Sequence, residues 1–390
     1  MKKKIVLYLA FAISLIGGIL LILLEKKWNV NSAAGISLYL VMLVAGILLL
    51  VKGADWFVDS SSAIAKIMKV SALVIGLTVV SFGTSAPELA VSTAASIKAN
   101  IHHTSADIAL GNVVGSNIAN LVLVLGLSVA ITPFIFKRGI LKKEFPFLIL
   151  TQFILAFFAF DNFLLHGRLT GSVTNKISRG EALVLVLLVF MFVYILVYGV
   201  KHPAAEDVEE LKREEEEAEA NIEIKPIPQI IIFLIVGLVG IVLGGVMISN
   251  SAEYLAIKLA TTAGADKSNA TVLVGLTVVA VGTSLPELLT SCIAAKRGEN
   301  EIALGNVIGS NIFNTLAILG VAGSICELGI NKNILIDMII MIAITFLVFI
   351  FASIKKTSDG KGQFKRWMGI VMVTIYILYI VYIVLRTLVL

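Results

Sequence analysis

Gly76–Leu89 reads GLTVVSFGTSAPEL, and about half a chain later Gly275–Leu288 reads GLTVVAVGTSLPEL. Each is followed by a second shared stretch, IALGNVVGSNIAN at Ile108–Asn120 and IALGNVIGSNIFN at Ile302–Asn314, identical at 11 of 13 positions. Each copy of the first stretch places one glutamate, Glu88 or Glu287, in apolar sequence interrupted by a proline. An ionisable group in a membrane span is costly, so a carboxylate that recurs beside a proline in both halves marks a site and not a packing accident.

The rest of the chain supports a membrane setting. Of its 390 residues, 58% are hydrophobic and only 15% charged, outside the usual range of soluble domains. Apolar runs recur at Ile5–Leu24, Phe145–Leu165, Ala182–Val200, Ile230–Ile248, Ile334–Ile354 and Trp367–Leu385. Each matches the roughly 20 residues that a helix needs to cross the hydrocarbon core. Weaker spans are predicted at 37–66, 71–97, 108–134, 252–262 (continuing the 230–248 run), 270–296 and 302–327. The fold class expected is an all-α polytopic membrane protein: two five-helix repeats, ten core helices, plus one extra N-terminal helix.

The boundaries expected are 1–36 for the leading helix and its loop, 37–200 for the first repeat, 201–228 for a connection, and 229–390 for the second repeat. An odd number of spans per repeat makes the second copy enter the membrane from the opposite side, an inverted-topology repeat. Lys and Arg cluster in the loops at Lys2–Lys4, Lys66/Lys69, Lys137–Lys143, Lys201–Lys225, Lys296/Arg297 and Lys355–Arg366. The positive-inside bias puts these loops and the N-terminus in the cytoplasm and the C-terminus outside. The leading run has a second reading as a secretory signal with Ser32-Ala33-Ala34 as a cleavage region; the retained helix is preferred for the length of the run.

The net charge of +5 is spread over short loops, so it reads as a topology determinant and not as a nucleic-acid face. The 201–228 connection is dense in glutamate (Glu209, Glu210, Glu214 to Glu217, Glu219) and reads as a solvated linker; it lacks the alternating ligands and turn glycine of an EF-hand. Cys292 and Cys326 read as free packing thiols, and the four histidines fall in loops.

The chemistry of the repeated motif follows from the proline. Pro87 has no N–H, so the Gly83 carbonyl loses its helical partner. Thr84, Ser85 and Glu88 share one side of the helix beside it. Carboxylate, hydroxyl and freed carbonyl form a set of hard oxygen donors suited to Ca²⁺ or Na⁺. The second copy repeats the set with Thr283, Ser284, Pro286 and Glu287. In the following stretch Gly111/Gly115 and Gly305/Gly309 form GxxxG, read as close helix packing. Ser116 and Asn120, like Ser310 and Asn314, share a face and offer neutral oxygens. An isolated Ser, Asn or Pro in a membrane helix is usually packing or a kink, whereas a carboxylate at matching places in both halves is not explained that way. Asp55, Asp59 and Glu253 lie near span ends, as do Asp161 and Asp337, and receive no role.

The paired GTSxPEL motifs, each followed by GNxxGSNxxN, resemble the α-repeats of the sodium/calcium exchanger branch of the cation/Ca²⁺ antiporter superfamily, over nearly the whole chain from about residue 37. The resemblance implies ten helices in two inverted five-helix repeats and antiport of Na⁺ against Ca²⁺ by alternating access. It implies Glu88 and Glu287 as the central ligands, joined by the carbonyls of Thr84 and Thr283 with Ser85 and Ser284 close by. Ser116, Ser310, Asn120 and Asn314 would line flanking ion positions, with Ser81 and Ala280 at places where a further backbone carbonyl is offered. Potassium-dependent members have Asp where this chain has Asn314, which argues against K⁺ co-transport. The short connection resembles the compact prokaryotic form, implying a prokaryotic plasma (inner) membrane. No cofactor, nucleic acid or obligate protein partner is implied; the partners are Ca²⁺, Na⁺ and the bilayer. Ca²⁺/H⁺ exchange on the same glutamates is the alternative, a channel lacks the expected oligomeric symmetry, and an intramembrane hydrolase lacks HExxH and a histidine base.

Overall fold

The computed structural model describes residues 11–18, 33–102, 104, 106–166, 176–202, 226–262, 280–354, 357 and 361–389. The acidic run at 203–225, most of the leading apolar run, Gly275–Val279 of the second motif, and the side chains of Asp161 and Ala280 lie outside the described residues.

Among the described residues eight helices are long and apolar enough to cross a membrane, and a bent pair makes a ninth. In chain order the first half contains α1 (Ala33–Met68), α2 (Ala72–Thr84) and α3 (Ala86–Ile101), the two parts of the bent pair, then α4 (Ile108–Ile131), β1 (Phe134–Phe136), α5 (Glu144–His166), β2 (Lys176–Ile177) and α6 (Arg179–Lys201). The second half repeats the order with α7 (Ile227–Thr262), α8 (Ala280–Thr283), α9 (Leu285–Lys296), α10 (Asn300–Ile325), β3 (Leu328–Gly329), α11 (Lys332–Ile354), β4 (Gly362–Phe364) and α12 (Arg366–Val389). The chain is a polytopic membrane protein, almost entirely helical, as expected.

Two short ladders reveal how the halves are related. β1 pairs antiparallel with β4 (Ile135 opposite Gln363), and β2 pairs antiparallel with β3 (Ile177 opposite Leu328). Thus the loop after α4 meets the loop before α12, while the loop before α6 meets the loop after α10. Helices that cross a membrane alternate sides, so a parallel duplication would leave these loops on opposite faces. Only an inverted duplication brings them together, and the halves are related by a pseudo-twofold axis in the membrane plane. Lys176 joins Glu327 at 2.6 Å beside one ladder, and Lys137 lies 3.7 Å from Glu301 near the other.

Helices α4 and α10 are the most enclosed, and α6 and α12 face outward with rows of exposed apolar side chains such as Phe190 and Leu378. α1 and α7 cross at glycines: a Cβ on Gly53 would stand 2.7 Å from the Gly237 carbonyl oxygen, and one on Gly244 would stand 2.7 Å from that of Gly46. This is the small-residue contact that lets backbones approach where lipid offers no hydrophobic drive. The helical turn at residues 11–18 rests on this pair, with Phe11 against Trp56 at 4.5 Å between ring centroids.

Three of the charged residues left without a role by sequence, Asp55, Asp59 and Asp337, are paired. Arg297 binds both Asp55 and Asp59, Lys52 reaches Asp55 at 3.0 Å, and the Ser62 hydroxyl donates to Glu299 at 2.6 Å. Asp337 takes a forked pair of bonds from Arg386 at 2.9 and 3.1 Å, with the Tyr382 ring beneath the guanidinium. Asp337 lies near the start of α11 and Arg386 in the last turn of α12; the aspartate is only 13% exposed, and the bidentate arginine meets its charge there.

Residues opposite each other on antiparallel strands are about 5 Å apart at Cα, within disulfide range. Ile135→Cys combined with Gln363→Cys should therefore cross-link on oxidation, read as a gel shift after cleavage of the 203–225 connection. Ile135→Cys with Gly329→Cys should not, and efficient cross-linking of that second pair would contradict the inverted arrangement.

Candidate cation site

The helix carrying Glu88 breaks where the sequence places Thr84-Ser85-Ala86-Pro87. α2 ends at Thr84, Ser85 leaves helical geometry (φ −82°, ψ 7°), and α3 begins at Ala86 with a 47° change of direction. The second copy breaks alike: Ser284 has φ −86° and ψ 3°, and α9 starts at Leu285. The break lies two residues beyond the weak point expected at Gly83, because proline fits the first turn of a new helix, where its missing N–H costs nothing.

Each break makes the start of a half-helix, and Glu88 and Glu287 both occupy its first turn. Unpaired N–H groups and the positive end of the helix dipole favour a carboxylate there. Both glutamates are fully buried. Ser85 and Ser284 stand at the N-cap position, yet neither side chain caps its own helix. Instead each hydroxyl turns to the other repeat: Ser85 Oγ donates to Glu287 Oε1 at 3.1 Å, and Ser284 Oγ lies 3.4 Å from Ser116 Oγ. Ser116 Oγ in turn donates to Glu88 Oε1 at 3.4 Å and accepts from Asn314 Nδ2 at 3.2 Å. A hydroxyl has one proton, so with that proton on Glu88 it is Ser284 that donates to Ser116.

Six of the residues expected at the site thus fall into two hydrogen-bonded groups, each spanning both repeats: Ser85 with Glu287, and Ser116 with Glu88, Ser284 and Asn314. The others lie around them. The Thr84 hydroxyl donates to Asn306 Oδ1 at 3.0 Å. The Ser81 carbonyl accepts from the Ser85 N–H at 3.0 Å and lies 3.4 Å from the Thr84 hydroxyl oxygen, while the Ser81 hydroxyl bonds back to the Leu77 carbonyl at 2.8 Å. Thr283 is half-buried at the end of α8, and Ala280 begins that turn. Asn120 and Ser310 are fully buried, and neither has a hydrogen-bond partner for its side chain.

The oxygens left over point to the chemistry. One oxygen of each glutamate, Glu88 Oε2 and Glu287 Oε2, is buried without a protein donor, as are the side-chain oxygens of Asn120, Ser310 and Asn314. Buried polar atoms are normally satisfied. A set of orphaned acceptors with two carboxylates among them fits a hard cation bound by oxygen.

Two features were not foreseen. α4 and α10 each contain a wide π-type turn, Ala119–Val124 and Asn314–Ile318, placed at Asn120 and Asn314. Such turns are frequent at functional sites, and here they reset the helix register where the amide must face inward. A third occupies Gly76–Val80 in α2, where α10 lies so close that a Cβ on Gly76 would be 2.8 Å from the Ile302 carbonyl oxygen. Second, Asn112 donates to Ser92 Oγ at 3.1 Å and Asn306 to Ser291 Oγ at 2.9 Å, tying each inner helix to the half-helix behind its glutamate. Both asparagines stand in the quoted GNxxGSN motif.

Comparison with known proteins places this arrangement. The model of the sodium/calcium exchanger protein family matches residues 38–198 and 230–385. The chain belongs to that family. It is 32% identical to the sodium/calcium exchanger MaX1 of Methanosarcina acetivorans over 82% of this chain and 90% of the relative. It is 30% identical to the inner membrane protein YrbG of Escherichia coli over 74% and 81%. Among solved structures, the sodium/calcium exchanger of Methanococcus jannaschii superposes with a TM-score of 0.68 at 30% identity, over 89% of this chain and 98% of that one. As a member the chain is a multi-pass membrane protein that exchanges cations.

Pro87→Ala would return an N–H to the Gly83 carbonyl and favour an unbroken helix through the site. We expect Ca²⁺ to bind about tenfold more weakly in this exchanger variant, removing about 1.4 kcal/mol of the stabilisation Ca²⁺ confers when bound. Thermal unfolding of purified protein across a Ca²⁺ titration measures this.

Proposed function

We propose that this protein exchanges Na⁺ for Ca²⁺ by alternating access, with both ions competing for one site centred on Glu88 and Glu287. The observation that carries the reading is the pair of fully buried carboxylates, each at the start of a half-helix and each keeping one oxygen free of protein donors. Two negative charges match one Ca²⁺, or Na⁺ ions together with the neutral oxygens of Asn120, Ser310 and Asn314. Carbonyls of Thr84 and Thr283 would complete the shell, with those of Ser81 and Ala280 at its edges. Two carboxylates without a counter-charge are unstable in a medium of low dielectric, so a loaded site moves more readily than an empty one. That condition favours exchange over leak.

The moving part is the α1–α7 pair, which crosses in glycine-to-backbone contact and buries its own cluster of Tyr39, Met42, Leu49 and Met247 with Phe11. The loops bearing Lys137–Lys143 and Lys355–Arg366, joined by the β1–β4 ladder, lie at the cytoplasmic face of a prokaryotic plasma membrane, and the C-terminus outside.

In proteoliposomes with pH clamped, an imposed Na⁺ gradient should drive Ca²⁺ uptake. Uptake that follows a pH gradient and ignores Na⁺ would overturn the Na⁺ assignment in favour of proton exchange. Glu88→Gln and Glu287→Gln should each lower Ca²⁺ flux by about 100-fold or more, because removing one charge from a buried ionic site costs about 3 kcal/mol or more.

A further inference from the structure

Asn306 lies outside the set of residues that the proposed site places on the ion, yet its side chain makes three connections around that site. It is fully buried on α10. Its Oδ1 accepts from the Thr84 hydroxyl at 3.0 Å, and its Nδ2 donates to Ser291 Oγ at 2.9 Å and, at 3.5 Å, to the main-chain carbonyl of Glu287. Thr84 ends the first half-helix before the break, whereas Glu287 and Ser291 are one turn apart on α9. One amide therefore bridges the backbone on which one repeat's proposed carbonyl ligand stands and the half-helix bearing the other repeat's carboxylate.

The position of this amide is itself held. Its neighbour Gly305 lies in direct backbone contact with α2, where a Cβ would come within 2.8 Å of the Leu73 carbonyl oxygen, so α10 packs on the broken helix with no side chain between them. Both sides of the amide are used, and its orientation is set by the Glu287 carbonyl, since a reversed amide would set Oδ1 against that oxygen, whereas the Thr84 and Ser291 hydroxyls can donate or accept. The counterpart Asn112 repeats the anchoring half of the pattern on Ser92, one turn beyond Glu88.

We propose that Asn306 is a positioning residue that sets the separation between the Thr84 carbonyl and the Glu287 carboxylate, and through it the size of cation the site prefers. This rests on the reading of Glu88 and Glu287 as the ion ligands. A hard-cation cage discriminates by size only as far as its ligands are held at fixed distances, and here the two ligands come from different repeats. Loss of the amide leaves both ligands present but frees the gap between them.

Full-length Asn306→Ala, Ser291→Ala and the double variant, purified in detergent, are titrated with Ca²⁺ and with the larger Ba²⁺, following thermal unfolding; half-saturating concentrations for uptake of each ion are then measured in Na⁺-loaded vesicles. We expect Asn306→Ala to weaken Ca²⁺ by about tenfold and Ba²⁺ by much less, narrowing the preference between them about threefold or more. Ser291→Ala should shift the same ratio by less, and the double variant should be no worse than Asn306→Ala, since Ser291 acts through Asn306. Equal weakening of both ions, or additive effects in the double variant, would overturn the positioning role while leaving the glutamate site standing. Wild-type protein that neither Ca²⁺ nor Ba²⁺ stabilises would instead sink the site assignment itself. Should Asn306→Ala fail to fold, an unchanged Ca²⁺ to Ba²⁺ ratio in Ser291→Ala overturns the proposal.

Discussion

Holding two carboxylates out of water at the centre of a helical membrane protein constrains everything around them. Glu88 and Glu287 cannot be surrounded by ordinary helix, whose side faces offer no donors, nor by lipid. The break at Ser85 and Ser284 answers this by turning one span into two, so that each carboxylate meets the start of a helix with its unpaired N–H groups. The same break brings hydroxyls to the centre, and the proline that causes it fits the first turn of the new helix.

The bracing is crossed, and this distinguishes the site from two separate half-sites. A serine placed to cap its own half-helix reaches instead toward the opposite repeat, directly from Ser85 to Glu287 and by way of Ser116 from Ser284 to Glu88. The two copies are related but not equivalent. Asn314 holds Ser116, whereas Asn120 on the other side has its amide unpartnered. A site with such unequal flanks can treat two ions differently although its frame is duplicated.

Much of this was legible in the sequence. The spans, the duplication and its inverted sense follow from hydropathy, charge and the recurrence of GTSxPE, because these properties are local. The exact place of the break was less so, since glycine only weakens a helix and proline decides where the next one begins. The π-type turns at Asn120 and Asn314 have no composition signal; they express a compromise between inner helices packed on several sides. Asn112 and Asn306 were in plain view within the motif, but a buried amide declares its role only when its partners, far away in the chain, are known. The same holds for Arg297, whose partners Asp55 and Asp59 lie in the other half.

The two small ladders carry a consequence for how the molecule is made. Among the described residues neither half contains a partner for its own strands: β1 waits for β4 and β2 for β3. As the protein emerges from the ribosome, the first half can insert its helices but cannot close either ladder: β2 waits until α10 and β3 have been made, and β1 until α11 and β4 have been made. The ladder of β1 with β4 can therefore close only after the partner of β2 has been made, and each ladder is latched by a segment of the second half.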